Sequence, residues 1–354
     1  MKKSLIALTV LAASGAAMAQ SSVTLYGVAD AGVTYLNGAD NWSGVTSGNN
    51  LTSRLGFRGT EDLGGGLKAN FVLEGGFNLD AGDGKSGGAT GTGFEFKRRS
   101  TVGLSGGFGE VRMGRELTAA FNATARYDVF GSVGIGQSRL WADGGVVDAS
   151  ANATAVTTNQ RISNALTYVA PDFSGFKFGL NYGFGETTAS NSDSGYLGAG
   201  LTYDNGPLSL GLGLERLNNG VNSVATSDID AWSLGGSYDF GVAKLLAGYR
   251  ESTVDRAAVE NKRSGYYVAA TAPVGAGTVR VSYNRYENEL ANVTGKADQF
   301  AIGYVYGLSK RTSVYGTYAY LKNKNGANLY TLGSGGLKTN GSQQGVQVGV
   351  SHAF

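Results

Sequence analysis

Leu67-Lys68-Ala69-Asn70-Phe71-Val72-Leu73-Glu74 reads apolar and polar by turns. Leu67, Ala69, Phe71 and Leu73 fall on one side of an extended chain, with Lys68, Asn70 and Glu74 on the other. A period of two is the mark of a strand with two unlike faces, whereas a helix would repeat every 3.6 residues. The same rhythm runs upstream through Arg54-Leu55-Gly56-Phe57-Arg58 and downstream through Val279-Arg280-Val281-Ser282-Tyr283-Asn284. From Ser22 onward no stretch makes a convincing amphipathic helix.

Two kinds of connection separate these strands. Short, turn-rich ones fall at 62–66, 106–109, 171–175, 204–207, 239–242, 272–277 and 307–310. Longer ones, rich in Gly, Asn, Ser and Thr, run 37–50, 80–94, 118–160, 187–193, 218–227, 254–263, 289–295 and 323–341. They take turns along the whole chain, so seven turns and eight loops delimit sixteen strands. An even strand number, with short turns on one side and long loops on the other, fits a 16-stranded antiparallel transmembrane β-barrel.

A soluble β-sandwich would bury one face of each strand, yet the second faces carry Arg, Lys, Glu and Asn too often for a dry core. A β-helix would show a short fixed repeat, and none is visible. In a barrel the apolar face meets lipid and the polar face meets water. Tyr168, Phe173, Phe176, Phe240, Tyr304, Tyr306, Tyr318 and Tyr320 bunch near strand ends, as interfacial girdles require. The last strand must pair with the first, Val23–Leu36, because no sheet edge can be left in hydrocarbon.

Composition narrows the function. Among 354 residues there are 58 Gly, one His and no Cys. Thiolate chemistry and disulfides are excluded, and multi-His metal sites or His-based catalysis are disfavoured. The lone His352 falls on the expected outward face, the wrong place for a barrel enzyme's catalytic base. Met1-Lys2-Lys3, the apolar run Leu5–Ala17 and the Ala17-Met18-Ala19 site make residues 1–19 a secretory signal peptide. Residues 20–354 form the barrel. Without Lys2 and Lys3, 27 basic residues face 27 acidic ones, which gives nucleic acid no handle. No cofactor is called for. Gly82-Asp83-Gly84-Lys85-Ser86 looks like the tail of a P-loop, but Leu79 stands where its first Gly is needed and no helix follows. Asp228-Ile229-Asp230 lacks calcium-loop spacing.

These residues resemble a known family. Ser22–Asp30, Ser53–Ala69, Val102-Gly103-Leu104, Gly114-Arg115, Arg161–Tyr168 and the terminal Phe354 are similar, in order, to the general, non-specific porins of β-proteobacteria and neisserial Gram-negative bacteria. The resemblance implies a homotrimer of 16-stranded barrels in the outer membrane, among lipid and lipopolysaccharide. Each barrel would be a passive, water-filled channel for ions and small hydrophilic solutes. It implies that the third long loop folds into the lumen and narrows it, and residues 118–160 are the third and longest connection. An external flap is the alternative use of so long a loop.

Carried over motif by motif, the basic wall of the constriction is Arg54 on strand two, Arg98 on strand four and Arg161 at the start of strand six. Glu74 is its acidic wall residue and Asp128 the first choice from the loop. Arg58, Lys68, Asn70 and Arg280 are further lumen candidates, and Phe354 is the closure and assembly signal. Period two puts Arg54 and Glu74 on polar faces, and puts Arg161 with Ser163 and Thr167 while Ile162, Leu166 and Tyr168 face outward. In Phe96-Lys97-Arg98-Arg99-Ser100-Thr101-Val102 the choice of Arg98 turns Arg99 outward, and a one-residue bulge would reverse it. Three arginines against few loop carboxylates lead to an expected mild anion preference. A sugar-selective channel would need an aromatic track along the lumen. A surface adhesin is a third use of such a barrel, and loop swaps would distinguish it from a channel.

Overall fold

The computed structural model describes residues 22–84, 93–142, 145–146, 156–157, 160–185, 195–218, 227–256, 261–290, 293–328, 330–334, 336 and 338–354. The expected signal peptide and the loop acids Asp143 and Asp148 lie outside them. Sixteen strands build the wall: β1 Ser22–Asn37, β2 Arg54–Gly64, β3 Leu67–Asn78, β4 Arg99–Gly106, β5 Gly109–Leu117, β6 Arg161–Val169, β7 Phe176–Gly183 and β8 Tyr196–Asn205, then β9 Leu208–Leu217, β10 Ser227–Asp239, β11 Lys244–Arg256, β12 Asn261–Val274, β13 Gly277–Leu290, β14 Val293–Gly307, β15 Thr312–Lys324 and β16 Ser342–Ala353. Each pairs antiparallel with the next, and β16 returns to β1 from Val28↔Ala353 to Asn37↔Gln344. The sheet therefore has no free edge, the condition for crossing hydrocarbon with strands. Beyond Ala353, Phe354 exchanges two backbone hydrogen bonds of 3.1 Å with Gly27, extending the seam to the last residue.

The alternation of the sequence becomes the two faces of the wall. Val23, Leu25, Val33, Val102, Met113, Leu197, Leu234, Val268, Ile302 and Val348 stand exposed on the outside. Asp30, Thr34, Thr167, Asn181, Ser233, Asn284, Gln299 and Gln347 are buried on the inside. So wide an apolar exterior around a polar interior suits lipid and no aqueous surface. Aromatic side chains ring both ends of that exterior, with Phe173, Phe176, Tyr238, Phe240 and Tyr306 near the short turns and Tyr182, Trp232, Tyr266, Phe300 and Tyr320 near the long loops.

Three local features depart from strict alternation. A short strand, Asn41–Ser47, pairs with the upper half of β1, so that the partner of β1 is interrupted at 48–53 before β2 begins. The buried carboxylate of Asp30 fills the interruption, accepting from the backbone N–H of Asn49 (2.7 Å) and Leu51 (3.0 Å) and from the Tyr315 hydroxyl (2.8 Å). Strands β13 and β14 stay paired from Gly277↔Tyr306 to Leu290↔Val293, so the long connection expected over 289–295 is mostly strand. Third, the chain is not helix-free: residues Ala119–Thr124 form helix α1, Ala125–Tyr127 a 3-10 turn and Arg139–Ala142 the single turn α2. Thr118 caps α1 by accepting from the Phe121 N–H at 3.2 Å, and six residues are too few to leave a periodic signal.

Candidate pore constriction and its loop

The site grows from the register of β1 to β4. Tyr26 lies opposite Gly56, Gly56 opposite Glu74, and Glu74 opposite Arg99. One row of the inner face thus carries a tyrosine, a carboxylate and an arginine across four strands. The Glu74 carboxylate accepts from Arg98 Nε at 2.7 Å and from the Tyr26 hydroxyl at 3.0 Å, and Arg54 Nε stands 3.7 Å from it. Arg161 joins through the backbone, donating from Nε to the Arg98 carbonyl at 2.8 Å. Arg54, Arg98, Arg161 and Glu74 are therefore one cluster, three guanidiniums around one carboxylate. All four are partly buried, so their fields act through a medium less polar than bulk water.

Arg99 does not face outward. It shares the inner row with Glu74 and approaches Glu116 at 3.8 Å. The physical reason is that β4 begins only at Arg99, so Arg98 lies in the lead-in, tied by its N–H to the Glu74 carbonyl, and escapes the alternation. Both arginines reach the inside. Below them Arg112 binds Glu116 at 2.7 Å and Glu110 at 2.8 Å, two contacts that period-two reading alone does not single out. Strand β6 also departs from its expected faces. Its pairing with β5 slips between Ile162 and Ala165, where Asn164 takes a positive φ of 49°. The bulge re-aims Ile162 into an apolar cluster with Ala165, Tyr196, Leu217, Ile229 and Val254, so it is not an outward residue.

Asp128 is not at the arginines. It is buried, and its carboxylate accepts from the backbone N–H groups of Phe130, Ser132 and Ser138, each at 2.9 Å. It folds its own loop and does not join the carboxylate of the arginine cluster. Burial pushes this carboxyl up to about 6, against the opposing pull of those three N–H groups and of Arg280. Arg280 clamps the same loop: Nη1 donates to the Val129 carbonyl at 3.1 Å, Nη2 to Asn50 Oδ1 at 2.8 Å, and the guanidinium lies 4.9 Å from the Phe130 ring centre. The other lumen candidates sit lower on the wall. Arg58 is exposed over the Tyr26 ring at 5.2 Å, Lys68 is exposed, and Asn70 donates to Ser105 Oγ at 2.8 Å.

Segment 118–142 packs on the face of the sheet opposite the apolar exterior. Tyr127, Leu140 and Trp141 bury themselves with Leu246, Tyr267, Ala269, Tyr286 and Ala297, while Phe130 and Ile135 join Leu36, Ala301, Ala319 and Leu321. Glycine makes the approach possible. A Cβ on Gly200 would strike the Ala119 carbonyl, one on Gly211 the Ala123 carbonyl, and one on Gly235 the Tyr127 ring. Tyr267 accepts from the Val129 N–H at 2.8 Å and Tyr286 from the Arg139 N–H at 2.8 Å, so two wall tyrosines anchor the loop backbone.

A family model described as "Gram-negative porin" matches residues 6–326. Outer membrane porin protein 32 of Delftia acidovorans is 46% identical over all of both chains, and an outer membrane porin protein of Bordetella pertussis is 34% identical over 91% of this chain and 95% of its own. Among solved structures, an anion-selective porin from Comamonas acidovorans superposes with a TM-score of 0.82 at 42% identity, covering 95% of this chain and 100% of its own.

Proposed function

This chain belongs to the Gram-negative porin family and is a passive outer-membrane channel, and we propose that the Arg54–Arg98–Arg161 cluster around Glu74 is its selectivity filter. Charge carries this reading. Three guanidiniums remain ionised in any pore environment, and a single carboxylate leaves the cluster with an excess of two positive charges. Low-dielectric walls focus that excess on the passing solute, which lowers the barrier for anions and raises it for cations. A mild anion preference follows, and it is supported by the 42% identity to the anion-selective porin from Comamonas acidovorans.

Segment 118–142 completes the filter by lying inside the barrel and taking up part of its section. Its packing on the polar face supports this arrangement, as does the glycine track beneath it. Asp128 and Arg280 hold it closed on itself. Glu74 is then the acidic member of the filter, while Asp128 shapes the loop. The barrels assemble as trimers, with Phe354 sealing the β1–β16 seam as each closes.

The test neutralises Arg54, Arg98 and Arg161 together by Gln and reads the reversal potential under a salt gradient. Loss or reversal of anion preference, in protein whose gel mobility still depends on boiling, supports the filter. An unchanged reversal potential would place selectivity elsewhere in the pore.

A further inference from the structure

Beneath the first turn of α1 the inner wall holds a buried ion pair that lies outside the arginine cluster. Glu215 of β9 and Arg250 of β11 meet across β10, with Nη2 2.8 Å from the carboxylate and side chains only 6% and 11% exposed. The register makes this crossing possible. Glu215 lies opposite Ala231 and Arg250 opposite Ser233, so β10 puts two small side chains between them. Gly198 beside Glu215, Gly213 beside Ser233 and Gly265 beside Arg250 add no side chain at all. Two charges taken this far out of water are costly unless the rest of their hydrogen-bonding capacity is engaged.

The second oxygen of Glu215 is engaged at the entry of the loop. It accepts from the Tyr196 hydroxyl at 2.8 Å and from the Thr118 hydroxyl at 3.5 Å. Thr118 is fully buried and stands where the segment leaves the wall. Its N–H donates to the Gln160 carbonyl at 2.9 Å, which ties the two ends of connection 118–160 together. The next N–H, of Ala119, donates to Asn181 Oδ1, and the Asn181 amide donates in turn to Thr167 Oγ1 at 2.6 Å. At the far end of α1, Thr124 Oγ1 and Ser233 Oγ stand 3.1 Å apart, so the helix lies over the strand that Arg250 crosses.

We infer that Glu215 and Arg250 are positioning residues of the pore: the pair fixes the entry of segment 118–142 at Thr118 and thereby the open section of the channel. Neither has to touch the solute. With both partners present the site is neutral, and it tolerates the cover of α1 and the apolar Leu217–Ile229 row next to it. With one partner neutralised, the other charge is buried and unpaired, and it regains water only if the segment lifts. With both neutralised no charge is left to hydrate, and the segment seats again. This inference rests on the seating of segment 118–142 inside the barrel proposed above and concerns what holds it there.

The chain has no cysteine, so Thr124→Cys supplies a single reporter at a position 1% exposed in the seated segment. In that background Glu215→Gln, Arg250→Gln, Arg250→Lys and the double variant Glu215→Gln/Arg250→Met would be treated with a small maleimide. Open-channel noise would be recorded on the same preparations, each checked for folding by boiling-dependent gel mobility. We expect each neutralising single variant to react about tenfold faster than the intact pair and to conduct with more noise, while Arg250→Lys and the double variant stay within about threefold of it. Single variants that react as slowly as the intact pair overturn the assignment. So does a double variant that reacts faster than both singles, the pattern of two unrelated packing losses. Where a single variant does not fold, a double variant that folds and reacts slowly supports the pair, and one that does not fold overturns it. Rapid modification with the pair intact would contradict the seating of the segment itself, and the role of the pair with it.

Discussion

At the scale of single residues, Glu74 is the point on which the proposed filter balances. It is the acid that Arg98 and Arg54 both approach, so Glu74→Gln removes one negative charge and leaves three arginines. An elementary charge at about 4 Å in water is worth roughly 1 kcal/mol, so the anion-to-cation permeability ratio should rise about fivefold; a fall in that ratio on reversal-potential measurement would contradict the assignment. Asp128 carries a prediction of a different kind. Its folded-state carboxyl titrates near 6, above the ordinary 3.8, so ionisation costs the folded loop. That cost is present above about 6 and disappears as pH falls towards 3.8, where folded and unfolded forms are both protonated. Amide protection of 128–138 should therefore increase between neutral pH and pH 5, after correction for intrinsic exchange, and the pH dependence should vanish in Asp128→Asn. Much of this site was legible in the chain: the alternation of β2 and β3 is enough to put Arg54 and Glu74 on one face. Two things were hidden. Period two cannot see where a strand begins, which misplaced Arg99, and nothing local distinguishes an acid that faces a pore from one that ties its own loop, which misplaced Asp128.

At the scale of elements, the proposed seat of segment 118–142 inside the strand wall requires room beneath it. Inward positions on β8, β9 and β10 are glycine where α1 and Tyr127 come closest. Gly235→Leu would drive a side chain into the Tyr127 ring, an overpacking that costs on the order of 1–3 kcal/mol. The expected outcome is a barrel that still folds, as judged by boiling-dependent gel mobility, but whose open-channel current is noisier and different in amplitude because segment 118–142 no longer seats. A quiet channel of wild-type conductance would show that the loop does not set the pore. This glycine track stands in the sequence as inward Gly residues at Gly198, Gly200, Gly211, Gly213 and Gly235, and it is the signal that could have located the loop. Taken one pair at a time, Gly-x-Gly means only a bend or close packing, and the track shows once the strands are set side by side. The short turns and the strand number, by contrast, were fully written in the turn residues and the period, because a closed sheet must satisfy every backbone group and permits little else.

At the scale of the whole molecule, sixteen antiparallel strands closed from β1 to β16 leave an interior wide enough for water, and the outside is apolar between two aromatic rings. Zero cysteines mean that this closure, not covalent cross-linking, holds the protein. A trimer of such barrels should migrate, unboiled on a denaturing gel, near three times its boiled mass, and migration at the monomer position would contradict the assembly. A water-filled pore filtered by three arginines around one glutamate is tested most directly by single-channel recording of the purified protein in a planar bilayer under a salt gradient. Such a pore requires large ohmic steps grouped in threes and a reversal potential of the sign that marks anion flow. A reversal potential of cation sign, or silence from protein shown to be folded, would contradict it.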